Sequence, residues 1–278
     1  MVNDNLGNRM KEFYENVPKT RLVRRMPVAI RIDGKAFHTF TRGFDKPFDK
    51  VLIKSMQNTM KYLCENIQGC VLGYHQSDEI TLILIDYTHL NSDAWFNYEV
   101  QKMCSISASM ATMAFNRYFK EEMDNWWETA HNGVNWDSPE WEKIDELLET
   151  YANAYKKGAM FDARCFNIPR EEVTNLIYWR QLDATRNSIQ MVGQANFSHK
   201  ELQNKTCNMI QDMLFEEKGI NWNNFPAYLK RGSCCLKNHD FDEYGVDWGE
   251  GWRIDENIPI FKEEGREYIE KRILSKEE

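Results

Sequence analysis

The chain has 278 residues, 42% hydrophobic and 28% charged, with a formal net charge of -8. That balance describes a globular protein able to bury a core and excludes a disordered or fibrous one. No apolar run approaches the roughly 20 residues that cross a bilayer, and the seven cysteines, odd in number and without a CxxC pair, exclude a disulfide framework and a zinc ribbon.

The N-terminus carries neither a basic, apolar leader nor a glycine at position 2, which predicts a cytoplasmic address and no membrane partner. Acidity is local. Residues 121–150 hold ten acidic side chains against Lys143, which leaves the rest of the chain near +1 and able to present a basic surface.

Taken in order, residues 1–20 read as an opening helix, with Met10, Phe13, Tyr14 and Val17 at helical spacing and Pro18 as the stop. Lys19, Arg21, Arg24 and Arg25 follow, either a solvated face or a patch for phosphate. Residues 28–32 form a β-branched strand. Asp49 then caps a helix with Val51, Leu52, Met56, Met60, Leu63 and Cys64 on one face, closed by Gly69. Strands at 70–75 and 80–85 flank Gln76-Ser77-Asp78-Glu79 as a hairpin with an acidic tip.

Small residues between 97 and 123, among them Ser107, Ala108, Ala111 and Ala114, predict a helix buried closely against the sheet. The acidic, Trp-bearing stretch 121–157 reads as a helical insert, since disordered linkers are poor in aromatics. A strand at 160–168, a helix at 171–190, a helix at 198–219 opened by a Ser198–Glu201 capping box, and a terminal helix near 263–274 complete the order. Strand, helix, strand, strand, helix, strand is the ferredoxin-like split βαβ arrangement. The fold class is therefore α+β: a polymerase-palm-like antiparallel sheet with added helices. We divide the chain into a catalytic unit at 1–235, carrying the insert, and a packed extension at 236–278.

Asp-Gly alone marks a turn. Here Asp33 ends one strand, Asp78 and Glu79 sit at a hairpin tip, and the strand order brings the two places together. Three carboxylates in one place repel and raise one another's pKa values, and a pair of Mg²⁺ ions relieves that repulsion. Gly34 lets the backbone approach such an ion. Lys46, Ser77 and Lys102 are candidates for triphosphate oxygens.

Arg31-Ile32-Asp33-Gly34-Lys35-Ala36-Phe37-His38, Lys46-Pro47, Tyr74-His75-Gln76-Ser77-Asp78-Glu79, Phe161-Asp162-Ala163-Arg164, Trp179-Arg180-Gln181-Leu182-Asp183 and Lys230-Arg231-Gly232 occur in this order. Together they resemble the signature segments of the histidine-tRNA guanylyltransferase superfamily. The resemblance implies a 3′-to-5′ nucleotidyltransferase acting on tRNA 5′ ends, with ATP, GTP or other nucleoside triphosphates as substrates and a homotetrameric assembly.

By resemblance Asp33, Gly34 and Asp78 hold two Mg²⁺, and Asp33, Asp78 and Glu79 are the catalytic set. Lys46, Ser77, Lys35, Phe37, His38 and Lys102 are assigned to nucleotide. Arg24, Arg25, Arg180, Lys230 and Arg231 are assigned to RNA.

One departure matters. Where the eukaryotic enzymes carry His-Ile-Asn-Asn, this chain reads Thr185-Arg186-Asn187-Ser188, closer to the guanylyltransferase-like proteins that repair truncated tRNA by templated addition. Non-templated guanosine addition to histidine tRNA is the alternative within the family. Outside it stand nucleotide cyclisation on the same palm and a non-catalytic RNA-binding module.

Overall fold

The computed structural model describes residues 4–241 and 247–274. Six strands, β1 (Val28–Gly34), β2 (Cys70–Gln76), β3 (Glu79–Leu84), β4 (Phe161–Asn167), β5 (Ser233–Phe241) and β6 (Asp247–Asp255), form one sheet in the order β4-β1-β3-β2-β5-β6. Every neighbouring pair is antiparallel. The helices in chain order are α1 (Asn5–Met10), α2 (Phe37–Phe40), α3 (Lys50–Asn66), α4 (Val100–Ala130), α5 (Pro139–Lys157), α6 (Arg170–Asn196), α7 (His199–Leu202), α8 (Cys207–Lys218), α9 (Ala227–Arg231) and α10 (Glu267–Ile273).

Strands β1 to β4 with α3 and α4 make the expected split βαβ core, and β1 and β3 lie side by side at its centre. Their residues alternate between two faces with period two. Ile30, Ile32, Ile80 and Leu82 join Met56, Met60, Leu63 and Phe115 of α3 and α4 in one apolar core. Ala29, Ile83, Leu72 and Tyr74 join Val173 and Ile177 of α6 and Ile269 and Ile273 of α10 in a second. The sheet is therefore covered on both faces, where the split βαβ order alone accounts for one. Every residue of β3 is buried for that reason.

Asp49 caps α3 as expected, its side chain accepting from Leu52 N. The helix seats tightly on β2 because Gly73 has no side chain: a Cβ there would meet Cys64 Sγ at 2.6 Å. Small residues do the same for α4, whose buried stripe includes Ser107, Ala111 and Ala114.

Several boundaries differ from the sequence reading. The opening helix is α1 followed by a wider π turn at Lys11–Glu15, and none of its residues is buried. The helix expected over 198–219 is two, α7 and α8, because the chain turns at Asn204 with φ 61°. The capping box of Ser198 and Glu201 is present. No break separates α4 from the acidic stretch: α4 runs on to Ala130, turns, and returns as α5 from the Ser138 cap. Strand β5 crosses position 235, so the C-terminal residues share the sheet, and Gln181 of α6 bonds the backbone of Pro259 and Phe261.

Candidate active site

Strand β1 ends at Asp33-Gly34, and the β2–β3 hairpin turns beside it. Asp33 lies opposite Glu79 in the ladder, and Gly34 N donates to Asp78 O at 3.1 Å. Only two residues, Ser77 and Asp78, join β2 to β3. Ser77 holds φ at 51°, a left-handed conformation that glycine usually supplies. His75 Nε2 donates to the Ser77 carbonyl at 2.9 Å and steadies that turn. Burial keeps this imidazole neutral, with its pKa lowered to about 4.

The three carboxylates are not equivalent. Glu79 is buried, and both its oxygens are taken: Oε2 by Arg31 at 2.7 Å and Oε1 by Arg180 Nε at 2.7 Å. Asp33 and Asp78 make no ion pair among the described residues. Burial is the first cause that raises the pKa of Asp33, with the charges of Glu79 and Asp162 adding to it. Burial likewise leads at Asp78; the hydrogen bond from its own backbone N–H works against the rise, the charge of Asp33 adds to it, and the hydrogen bond from Ser77 again opposes it. The repulsion expected of clustered carboxylates is present, second to desolvation.

On the α3 side of the strand ends lies a cleft of about 480 Å³ lined by Gly34, Phe37, His38, Lys46, Ser77 and Asp78. Gly34 is required there, because a Cβ would meet the Phe37 ring at 2.2 Å. Phe37 itself packs between Phe40, Phe115 and Phe161, so it shapes the wall from within the core. Asp49, read from sequence only as a cap, also lines the cleft, accepting from Leu52 N, Asp45 N and the Tyr151 hydroxyl at 2.6 Å. The α4–α5 hairpin therefore reaches the cleft wall.

Other candidates lie elsewhere. Lys35 is exposed, its backbone N bonded to Met160 O, and it does not line the cleft. Lys102 lies on α4 with its ammonium 5.9 Å from the Phe96 ring centroid. Arg24 and Arg25 are at the far end of β1, where Arg24 Nε and Arg25 N both bond the buried Asp86. Arg180 is buried on Glu79 and Asp183. Lys230 Nζ bonds Asn223 O, and the Arg231 carbonyl accepts from Tyr74.

Divalent cations fit this donor set. Two aspartates without ion pairs among the described residues and a glycine carbonyl at the cleft would supply the one or two carboxylates that Mg²⁺ takes from protein, the rest of its shell coming from phosphate and water; Arg164 and Arg31 offset part of the charge on Asp33. A closed cluster of three or more His, Cys, Asp or Glu ligands is absent among the described residues, and a triphosphate-bearing ion does not need one.

Residues 7–169 match the family model of the tRNA-His guanylyltransferases (Thg1). The tRNA(His) guanylyltransferase of Debaryomyces hansenii is 26% identical over 231 residues, 78% of this chain and 76% of that protein. A bacterial Thg1-like protein in complex with ATP superposes with a TM-score of 0.77 at 40% identity, covering 98% of this chain and 100% of the other. A second such structure, in complex with GTP, gives 0.72 at 38% identity over 97% and 99%.

Proposed function

The chain belongs to the tRNA-His guanylyltransferase family and is a nucleotidyltransferase, and we propose that it rebuilds tRNA 5′ ends by Mg²⁺-dependent, templated 3′-to-5′ addition. The observation that carries this reading is the pair of strand-end aspartates, Asp33 and Asp78, without ion-pair partners among the described residues, Asp78 lining the cleft with Lys46, Ser77 and His38 and Asp33 lying one residue from its Gly34 wall.

Two steps follow from the substrates. An oxygen of the RNA 5′-monophosphate attacks the α-phosphorus of ATP or GTP, and pyrophosphate leaves. The 3′-hydroxyl of the incoming triphosphate then attacks the activated 5′-phosphorus, and a nucleoside monophosphate leaves. Bound Mg²⁺ supplies neutralisation of the phosphate charge and a lowered pKa for the attacking hydroxyl. Asp33, Asp78 and the Gly34 carbonyl would hold it. Lys46 and Ser77 orient triphosphate oxygens, and Glu79, locked between Arg31 and Arg180, fixes the strand end on which Asp33 sits.

Template use is supported by Thr185. Its hydroxyl donates back to Gln181 O at 3.0 Å, so this position offers no imidazole towards RNA. The greater likeness to the bacterial Thg1-like proteins points the same way. Non-templated guanosine addition is the second reading, favoured by the named activity of the yeast relatives at 26% identity.

The exposed row Leu6, Phe13, Tyr14 and Val17 supports assembly with further copies, for which we adopt the homotetramer. We assign catalysis to residues 1–235, with 236–278 as a packed extension. No helix among the described residues is long and apolar enough to cross a membrane; the cytoplasmic place we assign rests on the tRNA-processing family.

The test incubates the protein and Mg²⁺ with intact and 5′-truncated tRNAs, each triphosphate supplied separately. Complementary nucleotides added only to truncated tRNA are the expected result. Guanosine added to intact tRNA, no addition at all, or a cyclic product without RNA would each overturn it.

A further inference from the structure

The triphosphate cleft occupies one side of the strand ends, and the other side carries an aromatic platform. Asp33 shares a sheet face with Ala29 and Arg31, by the two-residue period of β1, and Ala29 packs in the α6 core. Beside Arg31 on that face lies Trp179 of α6. The Arg31 guanidinium stands 5.3 Å and the Arg180 guanidinium 4.5 Å from its ring centroid, and the indole is nonetheless 52% exposed.

Two cations stand over the ring and fix it, and its remaining surface is open. A tryptophan that served only to bury apolar area would be inside, and this one keeps half its surface open next to a catalytic-site aspartate. Two further guanidinium groups nearby are accessible. Arg164 is the cross-strand partner of Arg31 with its side chain 57% exposed, and Arg186, two turns along α6, is 61% exposed. Arg164 is paired with the exposed Asp162, which a phosphate can displace, and Arg186 shares Asp183 with Arg180 at the protein surface end of that contact.

An exposed aromatic ring flanked by guanidinium groups is the chemistry that binds an unstacked base and its neighbouring phosphates. We propose that the 5′-terminal nucleotide of the RNA stacks on Trp179, with its flanking phosphates held by Arg164 and Arg186. The 5′-phosphorus then enters the site from the Asp33 side, opposite the triphosphate. This rests on the reading of the chain as an enzyme of RNA 5′ ends. It also moves RNA recognition from Arg180, which is buried in ion pairs, to its exposed neighbour.

The experiment compares full-length wild type, Trp179→Ala and Trp179→Phe on a 5′-truncated tRNA. The alanine variant raises KM for RNA about tenfold, the phenylalanine variant recovers most of the loss, and KM for ATP stays unchanged. An unchanged RNA KM in Trp179→Ala, with wild type active, overturns the proposal. RNA carrying 2-aminopurine at its 5′ terminus gives a readout that needs no turnover. Fluorescence quenched by wild type but not by Trp179→Ala, and by Arg164→Gln only at higher protein concentration, supports the stack even if no nucleotide is added, which would instead sink the proposed reaction. Equal quenching by Trp179→Ala and wild type, or quenching only at an internal position, rejects it.

Discussion

The two ends of the β1–β3 pair treat aspartate in opposite ways. At the end where Val28 faces Leu84, Asp86 is fully buried and answered: Arg24 Nε reaches it at 2.5 Å and Arg25 N at 2.8 Å. At the end where Asp33 faces Glu79, only the glutamate is answered, and burial and like charge raise the pKa of Asp33 and Asp78. The first end spends its carboxylate on holding the N-terminal segment to the sheet. The second leaves two carboxylates without ion pairs among the described residues, a cost to the fold that bound cations would reverse.

The contrast breaks most visibly at Asp78. Asp78→Ala lowers nucleotide addition by about a thousandfold or more, since metal-held charge is worth several kcal/mol in phosphoryl transfer. Its midpoint of thermal unfolding without Mg²⁺ is equal to or above that of wild type, because a repelling charge is gone. A clear loss of thermal stability there would mean that Asp78 is structural and that the two ends are alike.

Asp86→Asn does the reverse. Activity per folded molecule is kept, and the midpoint falls by roughly 3 to 8 °C as a buried, charge-assisted contact is weakened. Calorimetry beside the incorporation assay reads both. The smallest effect concerns His75. Its folded pKa of about 4 lies below the unfolded value of 6.5, so the unfolded chain binds the proton first as pH falls. Stability from this group is complete above pH 6.5 and is lost towards pH 4, by about 1.4 kcal/mol at pH 5.5. His75→Gln flattens that part of the pH profile; an unaltered slope would show that the imidazole titrates normally.

How much of this was legible depends on distance along the chain. The caps at Asp49 and Ser198 and the strand-end place of Asp33 are local matters of turn chemistry and period, and the structure has them. The palm order followed from counting elements. What failed to show were pairings across long stretches: β5 on β2, and α6 with α10 on the second face, because their apolar patterns do not name a partner. Arginine misled for a related reason. Read by type it belongs outside, yet Arg180 is buried because Glu79 waits for it across the sheet, and Arg24 is tied to Asp86. The exposed Trp179 inside the same motif carried the better signal, which only its exposure discloses.

Asp49 bears a last consequence. Its carboxylate ties together the start of α3 at Leu52, the loop at Asp45 and the α5 hydroxyl of Tyr151. Lys46 hangs between two of those ties, so the loop that carries it is shaped before any nucleotide arrives. Binding then need not supply the entropy of ordering that loop, and pre-organisation of this kind appears as affinity. If Lys46 meets triphosphate as proposed, the acidic hairpin, remote from it in sequence, takes a share in how tightly the nucleotide is held.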